Sequence, residues 1–462
     1  MNNNTDPKVL VIGLDCAAPE WVFHHPDYTL PHLHRLMREG GYNTLRSCDP
    51  PITVPAWSCM MSGRDPGALG IYGFRNRRQY SDYSDYAIAT SLSLKVPRVW
   101  DILSEAGKDV CVVGVPQTFP ISPVRGCMVS SILTPNVDSD SVYPESLKAD
   151  IIKNVGEICF DVEDFRNEDE NKVLQRINDF LHNRFDVAEY LMAKKPWDFF
   201  MMVDMGVDRL HHAFWHYGDP AHPKFQENTP YRWAMRDYYQ ALDERIGGLL
   251  AMAGGDTQVL VVSDHGAKPM HGGLRINQWL LDKGYLYLNS IPTSPQPFRL
   301  DDVDWSRTRA WGEGGYYGRI FLNVAGREAE GIVDPTTVSN LCNQIKGELE
   351  AMIGEDGIPM NNSVLLPEDL YPEVNGVPPD LMVYFGDLHW RSLGEVGCEN
   401  IYVETNDTGA DAANHAMDGI VIANRPLSLN KAGLMDIAPT VLSWLGLKIP
   451  EKMQGRVWAE NE

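Results

Sequence analysis

Seven positions in this chain carry side chains able to hold divalent cations or attack an electrophile: Asp15, Thr53, Asp208 with His212, Asp264 with His265, and His415. Asp208 and His212 stand four apart, so one helical turn would put both on one face, close enough to share an ion. Asp264, His265 and Gly266 set two ligand types side by side directly after an apolar run. Thr53 lies in the stretch Pro50-Pro51-Ile52-Thr53-Val54-Pro55-Ala56, where the prolines force an extended approach and Pro55 suits a first helical turn. A threonine there sits among free backbone N–H groups at the positive end of a helix, a place that welcomes an anion such as phosphate. Taken singly, Thr53 is more simply an N-cap, and each Asp/His pair more ordinarily a turn cap or surface ion pair. Taken as an ordered set, three Asp and three His around one threonine are enough for two divalent ions with the threonine between them.

Such residues meet only if the fold gathers them. Residues 9–14, 110–115, 197–204 and 258–263 are apolar runs of strand length, of the kind buried on both faces of a parallel sheet. Asp15 and Asp264 close two of them, Asp208 follows a third, and His415 precedes a further strand at 420–423. In open α/β sheets ligands collect at the carboxyl ends of strands, so one sheet edge would collect the whole set. Residues 30–40, 96–106, 231–252 and 437–445 read as helices. The expected fold class is α/β, a three-layer α/β/α arrangement around a mostly parallel central sheet, with a cap. Residues 1–267 and 411–462 would form the core, with a helical elaboration at about 136–195. Residues 268–410, where periodicity turns irregular and Pro, Gly and Trp accumulate, would form a cap or insertion bordering the active site. His271, Trp311, Tyr316 and Tyr317 from that region are candidate substrate contacts.

The 462 residues carry 63 acidic and 40 basic side chains, a formal charge of -23. That balance argues against a nucleic-acid polymer or an anionic membrane as partner, and means that an anionic substrate needs local cations, which bound metal ions supply. The polar start lacks an apolar signal core, and no stretch reaches the roughly 18 apolar residues of a membrane span, so a cytoplasmic location is expected. The eight cysteines are scattered with no Cys-x-x-Cys pair and read as reduced thiols, mostly buried. Arg75, Arg77 and Arg78, with Asn76 among them, form a basic run some 20 residues beyond Thr53, a solvated face or a phosphate contact.

With these motifs in view, the sequence resembles the alkaline phosphatase superfamily, most closely its type I phosphodiesterase/nucleotide pyrophosphatase branch. That branch has an Asp after the first strand, a nucleophilic Thr in a Thr-Phe-Pro-Asn type motif, then Asp-x-x-x-His, Asp-His-Gly and a final His. Asp15, Thr53-Val54-Pro55-Ala56, Asp208 with His212, Asp264-His265-Gly266 and His415 match in order, and Asp436-Ile437-Ala438-Pro439-Thr440 looks like the superfamily's terminal helix. The resemblance covers roughly residues 8–135, 196–266 and 411–458, and leaves out the cap. It implies that Asp15, Thr53, Asp264 and His265 hold one metal, and that Asp208, His212 and His415 hold the other. Oxygen and imidazole ligands without thiolate suit Zn, with Mn as the other choice. It further implies a covalent phosphothreonine at Thr53 and a small, nucleotide-like phosphate-ester substrate.

The departures bear on the substrate. The branch's phosphate-binding asparagine falls at Phe74 here, so Phe74, Arg75, Asn76, Arg77 and Arg78, with His271, are the candidate substrate-binding residues. An arginine on the phosphate would favour a phosphomonoester, because a guanidinium fork grips the extra anionic oxygens. Neither Cys48 nor Cys59 sits in the Cys/Ser-x-Pro-x-Arg motif that a sulfatase needs, and a cofactor-independent phosphoglycerate mutase uses a serine followed by a large insertion. The expected function is a two-metal phosphodiesterase or nucleotide pyrophosphatase. A phosphomonoesterase or phosphoryl-transferring enzyme on the same metals is the alternative, and a metal-stabilised binding protein without turnover a remote one.

Overall fold

The computed structural model describes residues 7–166, 169–405, 409 and 411–460. Its centre is an eight-stranded sheet in the order Gly41–Arg46, Asp418–Ala423, Gln258–Val262, Val9–Leu14, Phe199–Asp204, Val110–Val113, Gly126–Val129, Val142–Tyr143. The five strands from Gln258–Val262 to Gly126–Val129 are parallel. Their residues are almost all fully buried, as continuous Val/Ile/Leu/Met runs must be when helices cover both faces. Asp418–Ala423 runs antiparallel to Gln258–Val262, so the beginning of this strand lies at the edge where its neighbour ends. Val142–Tyr143, within the stretch read from sequence as a helical elaboration, adds an antiparallel outer strand.

Two groups of helices enclose the sheet. Pro31–Glu39, Glu170–Lys194, Gly206–Gly218 and Ala234–Ala253 pack on one another, and Thr53–Ser62, Val99–Glu105 and Ile437–Trp444 form the second group. The strand Val110–Val113 meets a helix of each group, which makes the arrangement three-layered. Every residue of Thr53–Ser62 is buried, and this helix needs a glycine beneath it: a Cβ on Gly13 would come within 2.4 Å of the Trp57 ring.

Between residues 274 and 396 the chain builds a second hydrophobic core around a four-stranded antiparallel sheet of Ala310–Glu313, Gly318–Leu322, Leu381–Tyr384 and Ser363–Leu365. Leu280, Trp311, Phe321 and Ile345 fill it. Tyr83 reaches into this core from the hairpin Arg75–Arg77/Tyr86–Ile88 and stacks on Trp305 at 3.7 Å between ring centroids, so the hairpin fastens one unit to the other. Among the described residues no helix is long and apolar enough to cross a membrane. All eight cysteines are free, six of them buried.

Candidate active site

Register explains why distant residues meet. Gly13 pairs with both Val203 and Val262, and Leu14 with Asp204, so the three central strands end level with one another. Asp15, Asp208 in the first turn of Gly206–Gly218, and Asp264 therefore emerge side by side. His415 arrives on the short strand Ala413–Ala416, which pairs antiparallel with Gly266–Pro269 and places His415 opposite Ala267. All six ligand candidates are buried, at 0–1% exposure.

Thr53 is the first residue of its helix, while Ile52, extended at φ -124°, is the N-cap and no side chain caps the helix. The N-cap reading of Thr53 is thereby displaced. Its hydroxyl faces the cluster, 3.3 Å from His265 Nε2. One turn further on, the Trp57 indole N–H donates to Asp15 Oδ2 at 2.6 Å and ties the helix to the strand end.

The three histidines share one design. His265 Nδ1 lies 3.0 Å from the Gly266 carbonyl and His415 Nδ1 lies 2.8 Å from that of Pro51. His212 Nδ1 lies 2.7 Å from Asp411 Oδ1 and 3.0 Å from the Ala413 carbonyl. With acceptors on that side, Nδ1 holds a proton in each ring and Nε2 is the nitrogen left facing the cluster. These Nε2 atoms face carboxylates: His265 to Asp264 at 3.2 Å, His212 and His415 to Asp208 at 3.3 and 3.5 Å.

Burial and then the charge on Asp208 hold the Asp15 carboxyl well above the ordinary carboxylate range, and burial followed by Asp15 does the same to Asp264. Burial acts on Asp208 too, but His212 and then Arg209 outweigh it and hold that group well below its usual range. Burial disfavours charge on His212, yet Tyr316, Asp411 and Asp208 overcome it and raise the ring to about 10. Burial, then His415, pushes His265 down, and burial pushes His415 down.

Whether this set fits metal ions turns on what the protein leaves unpaired. Asp15 Oδ1, Asp208 Oδ1 and Asp264 Oδ2 are buried without a hydrogen-bond partner, and buried carboxylate oxygens are costly in that state. Three such oxygens beside three Nε2 atoms turned towards them are a ligand set for divalent cations, whose binding would displace the second proton that His212 holds, and the residues fit the group. Asp208, His212 and His415 place one ligand atom each within 4.8 Å of one another, as do Asp15, Asp208 and His265.

The substrate candidates scatter. Arg77 is buried and donates through both terminal nitrogens to Glu328, with Trp311 and Phe321 rings against the guanidinium. Arg78 is 63% exposed and 3.6 Å from Asp85. Asn76 turns back on its own loop, accepting from the Tyr72 N–H and donating to the Gly73 carbonyl. Arg75 is exposed and lines a cavity of about 310 Å³ with Tyr86, Glu313 and Arg319. Phe74 is half-buried and packs on clusters containing Ile52 and Val54, which flank Thr53. His271 stacks on His389 at 4.5 Å, and burial and that neighbour lower it to about 4. Trp311 belongs to the second core, and the Tyr317 hydroxyl donates to the Tyr72 carbonyl. Tyr316 does reach the cluster: its ring stacks on His415 at 3.9 Å and its hydroxyl lies 3.3 Å from His212 Nε2.

Sequence reasoning missed Asp411, which binds His212 and takes Arg166 and Arg391 on its other oxygen, at 3.0 and 2.8 Å. It lies in an irregular stretch with no periodic signal. Trp57, one turn from Thr53, could have been found from helix spacing. Arg209 holds Asp208 Oδ2 at 2.5 Å and is itself gripped by Asp161.

A family model described as type I phosphodiesterase / nucleotide pyrophosphatase matches residues 9–416. No curated protein matches the chain. Among solved structures, an inactive threonine-to-alanine variant of murine ectonucleotide pyrophosphatase / phosphodiesterase 5 in complex with AMP is similar at a TM-score of 0.56 and 13% identity, with 96% of each chain covered. Phosphonoacetate hydrolase from Sinorhizobium meliloti 1021 in complex with phosphonoformate is similar at a TM-score of 0.58 and 15% identity, again with 96% of each chain covered. At these identities the likeness establishes the fold, a mixed α/β architecture around a large, mostly parallel sheet.

Proposed function

The chain belongs to the type I phosphodiesterase/nucleotide pyrophosphatase family, a family of phosphoester hydrolases, and from that premise we propose a two-metal phosphodiesterase that works through Thr53. The observation that carries the reading is the Thr53 hydroxyl, at a helix start, 3.3 Å from His265 Nε2 and beside three unpaired buried carboxylate oxygens. Asp15, Thr53, Asp264 and His265 would hold one cation and Asp208, His212 and His415 the other. Zinc suits this donor set, and manganese is the second choice. When bound, the cations supply positive charge that lowers the pKa of the threonine hydroxyl and neutralises phosphate oxygens.

The chain's own residues do the rest. The Thr53 hydroxyl gives its proton to solvent and Oγ1 attacks phosphorus in line with the leaving-group oxygen, whose bond to phosphorus breaks with its electron pair and which takes up a proton from solvent. Water then attacks the phosphothreonine and frees Thr53. The Thr53 and Val54 N–H groups, Pro55 having none, lack partners inside their own helix and would face the phosphate with the positive end of the dipole. Asp411 keeps His212 in the Nδ1–H tautomer, and the Trp57 indole fixes Asp15. Tyr316 would close the site from the cap, residues 268–410. A nucleotide-like substrate accords with the AMP bound in the murine relative.

The rival reading, a phosphomonoesterase, needs an arginine on the phosphate. Arg77 is committed to Glu328, Arg78 is solvated beside Asp85 and Arg75 lines a cavity that neither Thr53 nor any of the six ligand candidates lines, so the diester reading is preferred. Hydrolysis of bis-p-nitrophenyl phosphate and p-nitrophenyl phosphate, on protein stripped with chelator and refilled with Zn or Mn, tests it. Metal-dependent turnover favouring the diester is expected. Preference for the monoester would overturn the substrate class, and turnover unaffected by chelator would overturn the metal centre.

A further inference from the structure

Cys16 follows Asp15 directly and is fully buried, yet its backbone is left-handed at φ 66°. That region suits glycine, and a residue with a Cβ holds it only where surroundings enforce it, a pattern that clusters at functional sites. The surroundings here are the ligand cluster. The Cys16 N–H donates to Asp264 Oδ1 at 3.1 Å, and the thiol points to the Gly266 carbonyl at 3.4 Å, the same oxygen that His265 Nδ1 meets. Cys16 Sγ and one ring nitrogen each from His265 and His415 all lie within 4.8 Å of one another. These two histidines belong to the two different ligand sets, so the sulfur stands between them. Asp15 Oδ1, Asp208 Oδ1 and Asp264 Oδ2 are the unpartnered buried oxygens of the same space. Among the described residues no other cysteine shares a potential ligand group.

We propose that Cys16 supplies a sulfur ligand to the metal centre and biases that centre towards thiophilic ions, zinc over manganese or magnesium. The inference rests on the metal-centre reading above and alters its chemistry: a centre of oxygen and imidazole donors alone accepts hard and borderline ions, whereas a thiolate selects against the hard ones. On binding, the S–H bond breaks, the sulfur electron pair passes to the metal and the proton goes to solvent, with no change of oxidation state. Burial, followed by the charges of Asp208, Asp15 and Asp264, pushes the free thiol's pKa well up, so without a cation the group is a neutral thiol.

The test is cobalt(II) added to the chelator-stripped full chain. Bound cobalt shows visible ligand-field bands whatever its ligands, and a near-ultraviolet sulfur-to-cobalt band only with a thiolate. Both are expected in the wild type. Cys16→Ser and Cys16→Gly should keep the visible bands and lose the near-ultraviolet one, and their zinc-over-manganese preference in competition should fall about tenfold or more. The glycine variant is included because glycine accepts the left-handed backbone without strain, so a folding defect in the serine variant leaves the assignment decidable. Visible bands without the sulfur band in the wild type, or a sulfur band that persists in either variant, would overturn Cys16 as a ligand and leave the metal centre standing. No cobalt binding at all would overturn both.

Discussion

The two sides of the metal cluster are built from the same residue types and are compensated in opposite ways. On one side Asp15 and Asp264 receive only neutral donors, the Trp57 indole and the Cys16 N–H, and burial pushes both carboxyls up. On the other side Asp208 meets Arg209, and Asp411 meets Arg166 and Arg391. There Asp208 is held well below its usual range, and Asp411, despite its burial, falls to about 2 through His212 and its arginines. The protein itself supplies much of the compensation on the Asp208 side, whereas in the proposed centre the Asp15/Asp264 side would depend on a bound cation. Thr53 stands on the uncompensated side, beside His265, where a cation's charge has least competition and acts most strongly on the hydroxyl.

The largest effect expected is at that hydroxyl. Thr53→Ala removes the proposed nucleophile but none of the proposed carboxylate or imidazole ligands, so turnover of bis-p-nitrophenyl phosphate should fall on the order of 10⁴-fold or more. Melting temperature and metal content by elemental analysis should stay close to wild type. A variant that keeps its activity would place the chemistry elsewhere and dissolve the link between the uncompensated side and the nucleophile.

A smaller loss is expected on the compensated side. Asp411→Asn keeps an acceptor for His212 Nδ1 but removes the charge that Arg166 and Arg391 bind, so the side chain that orients His212 is itself held less firmly. Second-layer changes of this kind cost about 10–100-fold in metal affinity or activity. The loss should appear as weaker metal binding in a chelator competition, with kcat at saturating metal less affected than affinity. An unchanged affinity would mean that Asp411 serves packing alone.

Which parts of this were legible in the sequence follows from how local each signal is. Apolar runs mark strands, and Asp15 and Asp264 follow theirs, so these ligands could be read without the fold. Strand direction could not: a run such as Ile420-Val421-Ile422 has no arrow, and only the antiparallel pairing puts its beginning, with His415 just upstream, at the same edge. The basic run at 75–78 shows that nearness to Thr53 along the chain does not give nearness in space. Arg77 is fixed by Glu328, 251 residues away, in a hairpin whose role is to fasten the second core. Cys16 was visible next to Asp15, but a thiol in an apolar context reads as filler until the histidines around it are in place.

The smallest effect is a difference of sign between the two sides in metal-free protein. Asp15 and Asp264 have folded pKa values raised above the unfolded value of about 3.9, so the folded state holds more protons than the unfolded one. Their contribution is fully favourable below that value and is lost as pH rises through the folded pKa. Asp208 is depressed, so its contribution is present above the unfolded value and lost as pH falls through the folded one. Asp264→Asn in chelator-stripped protein should therefore raise the melting temperature near neutral pH, by about 1 °C for each kcal/mol of burial cost relieved in a chain of this length, and flatten its decline above the carboxylate range. Asp208→Asn should lower it, because Arg209 and His212 lose the charge they are built around. Restoring zinc should leave both variants below wild type, since each has lost a ligand and with it part of the stabilisation that binding confers. Calorimetry with and without chelator, from about pH 4 to about pH 8, reads all of this. Shifts of the same sign for both variants without metal would show that the two sides do not differ in how their charge is compensated.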